Sequence, residues 1–148
     1  GPQKEHLKNK VSQLGLEGRV IFTGQQNNPE QWLQALDIFC LPSYANEGVP
    51  QAILQAMLTE LPIITTPVGA ITEAVSDGKT ARIVPPRDAT ALAGAIKALI
   101  ENPGQCSTMG SQARKDAEQR FSFSIMLSNM EAIFAHQSRS YGEPPLLP

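Results

Sequence analysis

This chain has little of what the simpler functional classes require. Its two cysteines, Cys40 inside an apolar run and Cys106 in a polar stretch, are too few for a disulfide scaffold and lack metal-ligand spacing. A reducing, cytoplasmic setting fits them. Neither sign of charge dominates: 12 Lys and Arg stand against 14 Asp and Glu, for a net charge of −2. No broad basic field is therefore available to hold nucleic acid or anionic lipid, which argues against nucleic acid as a partner. No apolar run approaches the roughly eighteen residues of a membrane span, and residues 1–10 lack the apolar stretch of a signal peptide. The chain reads as soluble and untargeted, without internal repeats or low-complexity segments. What remains is 148 residues, 41% hydrophobic and 18% charged, enough for about one globular domain.

Short apolar or β-branched runs alternate with longer segments of helical period, the pattern of βα units that build a parallel sheet, so the class is α/β. A helix is expected over residues 3–14, with Leu7, Val11 and Leu14 on one stripe and Gly15 closing it. Strands are expected over 19–23, 38–41, 63–65 and 81–84, bounded by Gly24, Pro42, Pro62 and Pro85. Between them fall helices over 29–36, 50–59 and 71–75, the first two opened by Pro29 and Pro50. Asp88 caps a helix running to about Glu101, Asn102-Pro103-Gly104 interrupts it, and further helices reach Arg120 and span 122–136. On the last, Met126, Met130, Ile133 and Phe134 recur at helical spacing and read as core or as a domain-packing surface. Residues 137–148, with Pro144, Pro145 and Pro148, read as a flexible tail.

The chemistry concentrates between Ser43 and Glu73. An open α/β sheet binds ligands beyond the carboxyl ends of its strands, which is where the loop Asn46-Glu47-Gly48-Val49 lies. The helix opening at Pro50 leaves its first N–H groups without intrahelical partners, so backbone donors and the helix dipole favour an anion there. Gly48 removes a side chain that would block approach. Glu47, acceptor-only when ionised, suits hydroxyls rather than a second anion, so hydroxyls beside an anion suggest a sugar phosphate. Gln55 lies eight positions later, roughly two helical turns if Glu47 begins the helix, and can face the same crevice. The plainer alternatives are a cap role for Glu47 and a solvated helix face for Gln55. A second loop, Pro67-Val68-Gly69-Ala70-Ile71, carries Glu73 toward the same sheet edge, or is a simple tight turn.

Leu41-Pro42-Ser43, Glu47-Gly48-Val49-Pro50, Gln55-Ala56-Met57, Leu61-Pro62-Ile63-Ile64, Val68-Gly69, Glu73-Ala74-Val75, Gly78 and Val84-Pro85 with Asp88 occur in an order and spacing with a known parallel. They resemble the C-terminal, nucleotide-sugar-binding domain of family 4 retaining glycosyltransferases of the GT-B fold (glycosyl transferases group 1). The leading Gly1-Pro2, similar to the end of that family's glycine loop, and the run Arg19 to Gly24 extend the resemblance over nearly everything before the tail.

The resemblance implies a Rossmann-like parallel sheet forming part of the C-terminal half of a GT-B fold, with C-terminal helices. It divides the chain into an incomplete donor-binding domain, 1–136, and the tail, 137–148. It also implies donor-binding roles for Ser43, Glu47, Gly48, Val49, Pro50 and Gln55. By this resemblance Glu47, at the position of the first carboxylate of the family's Glu-x7-Glu motif, is expected to be the catalytic residue holding donor-sugar hydroxyls. The amides of Gly48 and Val49 approach the sugar and diphosphate. Gln55 stands where the family's second Glu binds ribose, so its bond is neutral and weaker by about 1 kcal/mol. Further departures are Glu60, Ala70 and Ala81 at positions where the family usually has Gly.

The implied partners are a nucleotide-sugar donor and a glycan or lipid acceptor. The acceptor, like any peripheral membrane contact, belongs to an N-terminal domain that the chain lacks. The Arg and Lys that clamp the diphosphate in the family lie upstream as well, so this chain alone is expected to be inactive. No metal or other cofactor is expected. His6 and His136 stand in terminal helices, and Glu47 and Glu73 are not spaced as a divalent clamp. The implied strand order 3-2-1-4-5-6 places two absent strands between 19–23 and 38–41, predicting either direct pairing of these two segments or association with a second chain. Two other functions share the frame: a GT-B-fold nucleotide-sugar epimerase and a non-catalytic α/β interaction module.

Overall fold

A computed structural model describes residues 2–45 and 47–140. In chain order the elements are α1 (Lys4–Gln13), α2 (Pro29–Leu33), β1 (Phe39–Leu41), α3 (Gln51–Leu58), β2 (Ile63–Thr65), α4 (Ile71–Ala74), β3 (Arg82–Ile83), α5 (Ala89–Ile100), α6 (Pro103–Arg120) and α7 (Phe123–Ser140). The strands form one parallel sheet in the order β1-β2-β3, the 4-5-6 run of the expected order. Phe39 pairs with Ile63, Leu41 with Thr65, and Ile64 with Arg82.

Central strand β2 is fully buried, and its alternation divides the core in two. Ile63 packs with Ile53 and Met57 of α3, Ile71 of α4, and Ala113 and Ala117 of α6. Ile64 faces the other way, toward Val84, Leu99 of α5 and Met109 of α6. Helices thus cover both faces, as a parallel sheet of apolar strands demands. The buried hydroxyls are all satisfied: Thr65 Oγ1 donates to the Leu41 carbonyl at 2.9 Å, Thr66 Oγ1 to the Ser43 carbonyl at 2.5 Å, and Thr80 Oγ1 accepts from the Ser76 amide at 2.8 Å.

The caps follow local chemistry. Asp88 accepts from the Ala91 amide at 2.8 Å and opens α5, and Asn102 accepts from the Gln105 amide at 3.1 Å and opens α6. The interruption expected over 102–104 therefore falls on Glu101 and Asn102 instead, because Pro103 fits a first-turn position of α6. Helix α3 ends with the Glu60 amide on the Met57 carbonyl and the Leu61 amide on the Ala56 carbonyl, the paired pattern of a left-handed helix end. Glu60 itself adopts φ +58. Of the three positions where the family carries glycine, only this one lies in the left-handed region. Its carboxylate reaches Arg114 at 3.2 Å and Ser111 at 3.3 Å, both on α6.

Several expectations are corrected. Residues 19–23 form no strand, and they do not pair directly with β1, which is joined only to β2. A strand persists only as a partner in a ladder, and no neighbour is offered to this segment among the described residues. Ile21 is 82% exposed. The α7 stripe is not core: Met126, Met130, Ile133 and Phe134 are all exposed. Helix α2 stops at Leu33 rather than Leu36, and α7 continues to Ser140, inside the expected tail, whose residues 141–148 lie outside the described ones.

Candidate functional site

In a parallel sheet all carboxyl ends lie on one edge, so residues 42–45 and 47–50 after β1, 66–70 after β2 and 84–88 after β3 lie there. The first two loops are tied by three contacts. Thr66 holds the Ser43 carbonyl, the Ala70 amide donates to the Glu47 carbonyl at 3.1 Å, and Gly69 lies directly against Glu47. Gly69 has φ +57, and a Cβ there would stand 1.8 Å from the Glu47 carbonyl oxygen. Glycine is required at this crossing by both conformation and space.

Ser43 Oγ donates to Glu47 Oε1 at 2.6 Å, while among the described residues nothing donates to the second carboxylate oxygen. Ser43 and Glu47 line a depression of about 410 Å³ together with Leu41, Pro42, Tyr44 and Ala45. Glu47 is half-buried and keeps an open acceptor at the mouth of that depression. Gly48 is exposed, and a Cβ there would meet no atom within 4 Å, so the chain's own packing does not require glycine; what its absence of side chain leaves is room. Val49 packs on the α3 side of the core. Pro50 is the N-cap of α3 and not its first helical residue, so the helix begins one residue later than expected; it has no side-chain cap bond and no acidic residue in the first turn. The Ile53 amide donates to the Pro50 carbonyl at 3.0 Å, which leaves the amides of Gln51 and Ala52 for an acceptor from outside that turn.

Gln55 is placed elsewhere. It lines a different depression, of about 370 Å³, with Leu54, Ala117, Phe121 and Phe123, and the structure does not bring it into one depression with Glu47. The reason is that α3 begins at Gln51, so the eight positions from Glu47 to Gln55 are a loop and about one turn, not two helical turns. Glu73 lies on α4 with its side chain exposed. Its carbonyl and that of Ala74 accept from the Arg120 guanidinium, which fastens the end of α4 to α6. Desolvation pushes the Cys40 thiol up, so it stays protonated near neutral pH and is a poor nucleophile.

One contact was not anticipated. The Arg87 guanidinium, in the loop after β3, lies 4.9 Å from the centre of the Tyr44 ring in the loop after β1. The only trace in the sequence is an arginine between Pro86 and the Asp88 cap, with nothing to connect it to Tyr44.

A three-stranded parallel sheet whose first two strand-end loops are tied around a half-free carboxylate has the architecture of an open α/β domain. Its lineage is shown by similarity: the chain belongs to the family described as glycosyl transferases group 1, whose pattern matches residues 1–102. The lipopolysaccharide core biosynthesis mannosyltransferase LpsB of Rhizobium meliloti is 35% identical over 101 residues, 67% of this chain and 28% of LpsB. The N-acetyl-alpha-D-glucosaminyl L-malate synthase of Bacillus anthracis is 30% identical over 134 residues, 90% of this chain and 35% of the synthase. Among solved structures, Anabaena Alr3699/HepE in complex with UDP-glucose superposes with a TM-score of 0.81 at 29% identity, over 90% of this chain and 36% of HepE. The chain thus spans about a third of the length of the relatives it matches. Its α/β fold with C-terminal helices is that of part of a GT-B glycosyltransferase.

Proposed function

We propose that this domain binds the nucleoside diphosphate sugar donor of a family 4 retaining glycosyltransferase that passes a hexose to a glycan or lipid acceptor in polysaccharide or glycolipid synthesis. The observation that carries the reading is Glu47, half-buried at the sheet edge, held through one oxygen by Ser43 and open through the other. An ionised carboxylate with free lone pairs accepts hydroxyls, and the uncapped first turn of α3 beside it accepts an anion. A donor with a hydroxylated ring next to a diphosphate matches both. Family membership and the UDP-glucose complex of HepE support the same reading.

In this scheme Glu47 touches the sugar and is the catalytic residue, with Ser43 orienting it. The amides of Gly48 and Val49 face the sugar and diphosphate, and Pro50 sets the start of α3. Gln55 accepts from ribose, with the donor extending along α3 past the Glu47 depression. The acceptor is held by parts of the protein outside the matched residues, so this chain by itself transfers nothing. Two free cysteines fit the cytoplasm. No helix among the described residues is long and apolar enough to cross a membrane.

The test is calorimetry of the full-length protein carrying this domain with a panel of UDP- and GDP-hexoses. The unaltered protein is expected to bind at least one of them, and Glu47→Ala to weaken that binding about tenfold or more. Glu47→Gln should lower transfer by about 10²-fold, the scale of a charge-assisted bond of about 3 kcal/mol. No donor binding, or binding and turnover untouched by either substitution, would sink the proposal and favour an interaction module.

The proposal assigns no step to a metal ion. Glu47 stands on the loop after β1 and Glu73 on α4, and among the described residues no group of three or more His, Cys, Asp or Glu side chains gathers that could hold one. Transfer assayed with excess chelator is expected to match transfer without it. Activity lost to chelator and restored by Mg²⁺ or Mn²⁺ would overturn this part of the proposal.

A further inference from the structure

The three strand-end loops are not tied to one another in the same way. The loop after β1 is fastened to the loop after β2 through the Thr66–Ser43 and Ala70–Glu47 hydrogen bonds. Toward the loop after β3, Pro42 borders one depression with Val84, Pro85 and Arg87, and among the described residues the side-chain interaction that joins the two loops is that of Arg87 with Tyr44. Arg87 reaches that ring from φ +61, a conformation that side chains other than glycine rarely adopt. Its neighbour Asp88 is already committed to the Ala91 amide, and no carboxylate among the described residues forms an ion pair with Arg87. The guanidinium charge is therefore directed at the face of Tyr44. Tyr44 is itself 65% exposed, so little packing holds the ring in place otherwise. The residue before it, Ser43, orients the Glu47 carboxylate at 2.6 Å.

We infer that Arg87 is a positioning residue for donor binding: through its cation–π contact with Tyr44 it fixes the loop that presents Ser43 and Glu47. Unfavourable backbone conformations persist where the surroundings hold them, and they concentrate at functional sites. Here the left-handed turn is what brings the guanidinium from the third loop to the first. An arginine with a purely structural part would be expected to stabilise the fold. A positioning arginine at a position suited to glycine has the opposite signature: its loss relaxes the backbone and loosens the ligand.

This inference rests on the donor-binding reading, and the experiment separates the two. Donor dissociation constants, KM, kcat and unfolding midpoints are measured on the full-length protein with the hexose donor that it binds, for Arg87→Gly, Arg87→Lys, Tyr44→Ala and the Arg87→Gly/Tyr44→Ala pair. Arg87→Gly is expected to raise the donor dissociation constant and KM about fivefold, the size of an exposed cation–π contact, with kcat unchanged. Its unfolding midpoint stays level or rises, because glycine adopts φ +61 freely. Arg87→Lys, which keeps a cation, retains at least about half the affinity, and the double variant is no weaker than the weaker single one. The inference fails if Arg87→Gly binds as the unaltered protein does, if its midpoint falls together with its affinity, or if the two substitutions add. Absence of any donor binding by the unaltered protein would remove the donor-binding reading and this inference with it.

Discussion

Gly69→Ala is expected to destabilise the fold by about 3 kcal/mol or more and to weaken donor binding at least about a hundredfold. The left-handed φ of +57 costs an alanine about 1 kcal/mol by itself. The larger part comes from the added methyl, 1.8 Å from the Glu47 carbonyl oxygen and 2.8 Å from its carbon. Both neighbours are backbone, so neither can swing aside as a side-chain tip would. One of the two loops must move, and either movement breaks the bond from the Ala70 amide to Glu47. Loss of stability and loss of affinity should therefore appear together. Denaturant unfolding beside donor calorimetry measures both; an alanine variant with an unchanged midpoint and unchanged affinity would contradict the close crossing of these loops.

A second glycine should separate those effects. Gly110 lies on α6, where an added Cβ would stand 1.9 Å from the Glu60 carbonyl oxygen at the end of α3. Helix propensity alone favours alanine by about 1 kcal/mol at an interior position. The backbone clash is the greater effect, and forcing α6 off α3 should leave a net loss of about 2–3 kcal/mol. Buried Ala113 and Ala117 sit on the same side of α6 and lose packing when it shifts. The Ser43–Glu47 loop makes none of its described bonds to α6, so donor affinity in the folded fraction should stay within about twofold. A Gly110→Ala protein as stable as the parent, or one that loses affinity as steeply as Gly69→Ala, would contradict this separation.

Much of the fold was legible because local chemistry decides it. Pro62 and Pro67 bound the apolar run that becomes β2, and the expected limits of Ile63 to Thr65 match it. Asp88 and Asn102 cap the helices that their side chains suggest. The segment 19–23 was not legible in the same sense, since its β-branched and aromatic residues express a preference that only a neighbouring strand can realise. Of the two readings of the α7 stripe, the core one fails for a related reason: periodicity identifies a face and says nothing of what covers it. At the candidate site, the loop around Glu47 could be read from a strand end, a glycine and a proline. The placement of Gln55 could not, because it depends on where α3 begins. The Arg87–Tyr44 contact joins the ends of non-adjacent strands β1 and β3, and no local pattern reports it.

The way Thr66 holds Ser43 bears on how such a site can change over generations. The backbone ladder bonds from Phe39–Ile63 to Leu41–Thr65 are made by groups that every residue but proline carries. The next link along, from the Thr66 hydroxyl to the Ser43 carbonyl, belongs to a side chain and exists only while residue 66 carries a donor of the right length. The sheet and the loop that it supports are consequently inherited on different terms. A substitution at position 66 that removes the hydroxyl frees the loop that carries Glu47 from this link while the backbone pairs of the ladder keep their own bonds, so the crevice is open to adaptation one side chain at a time.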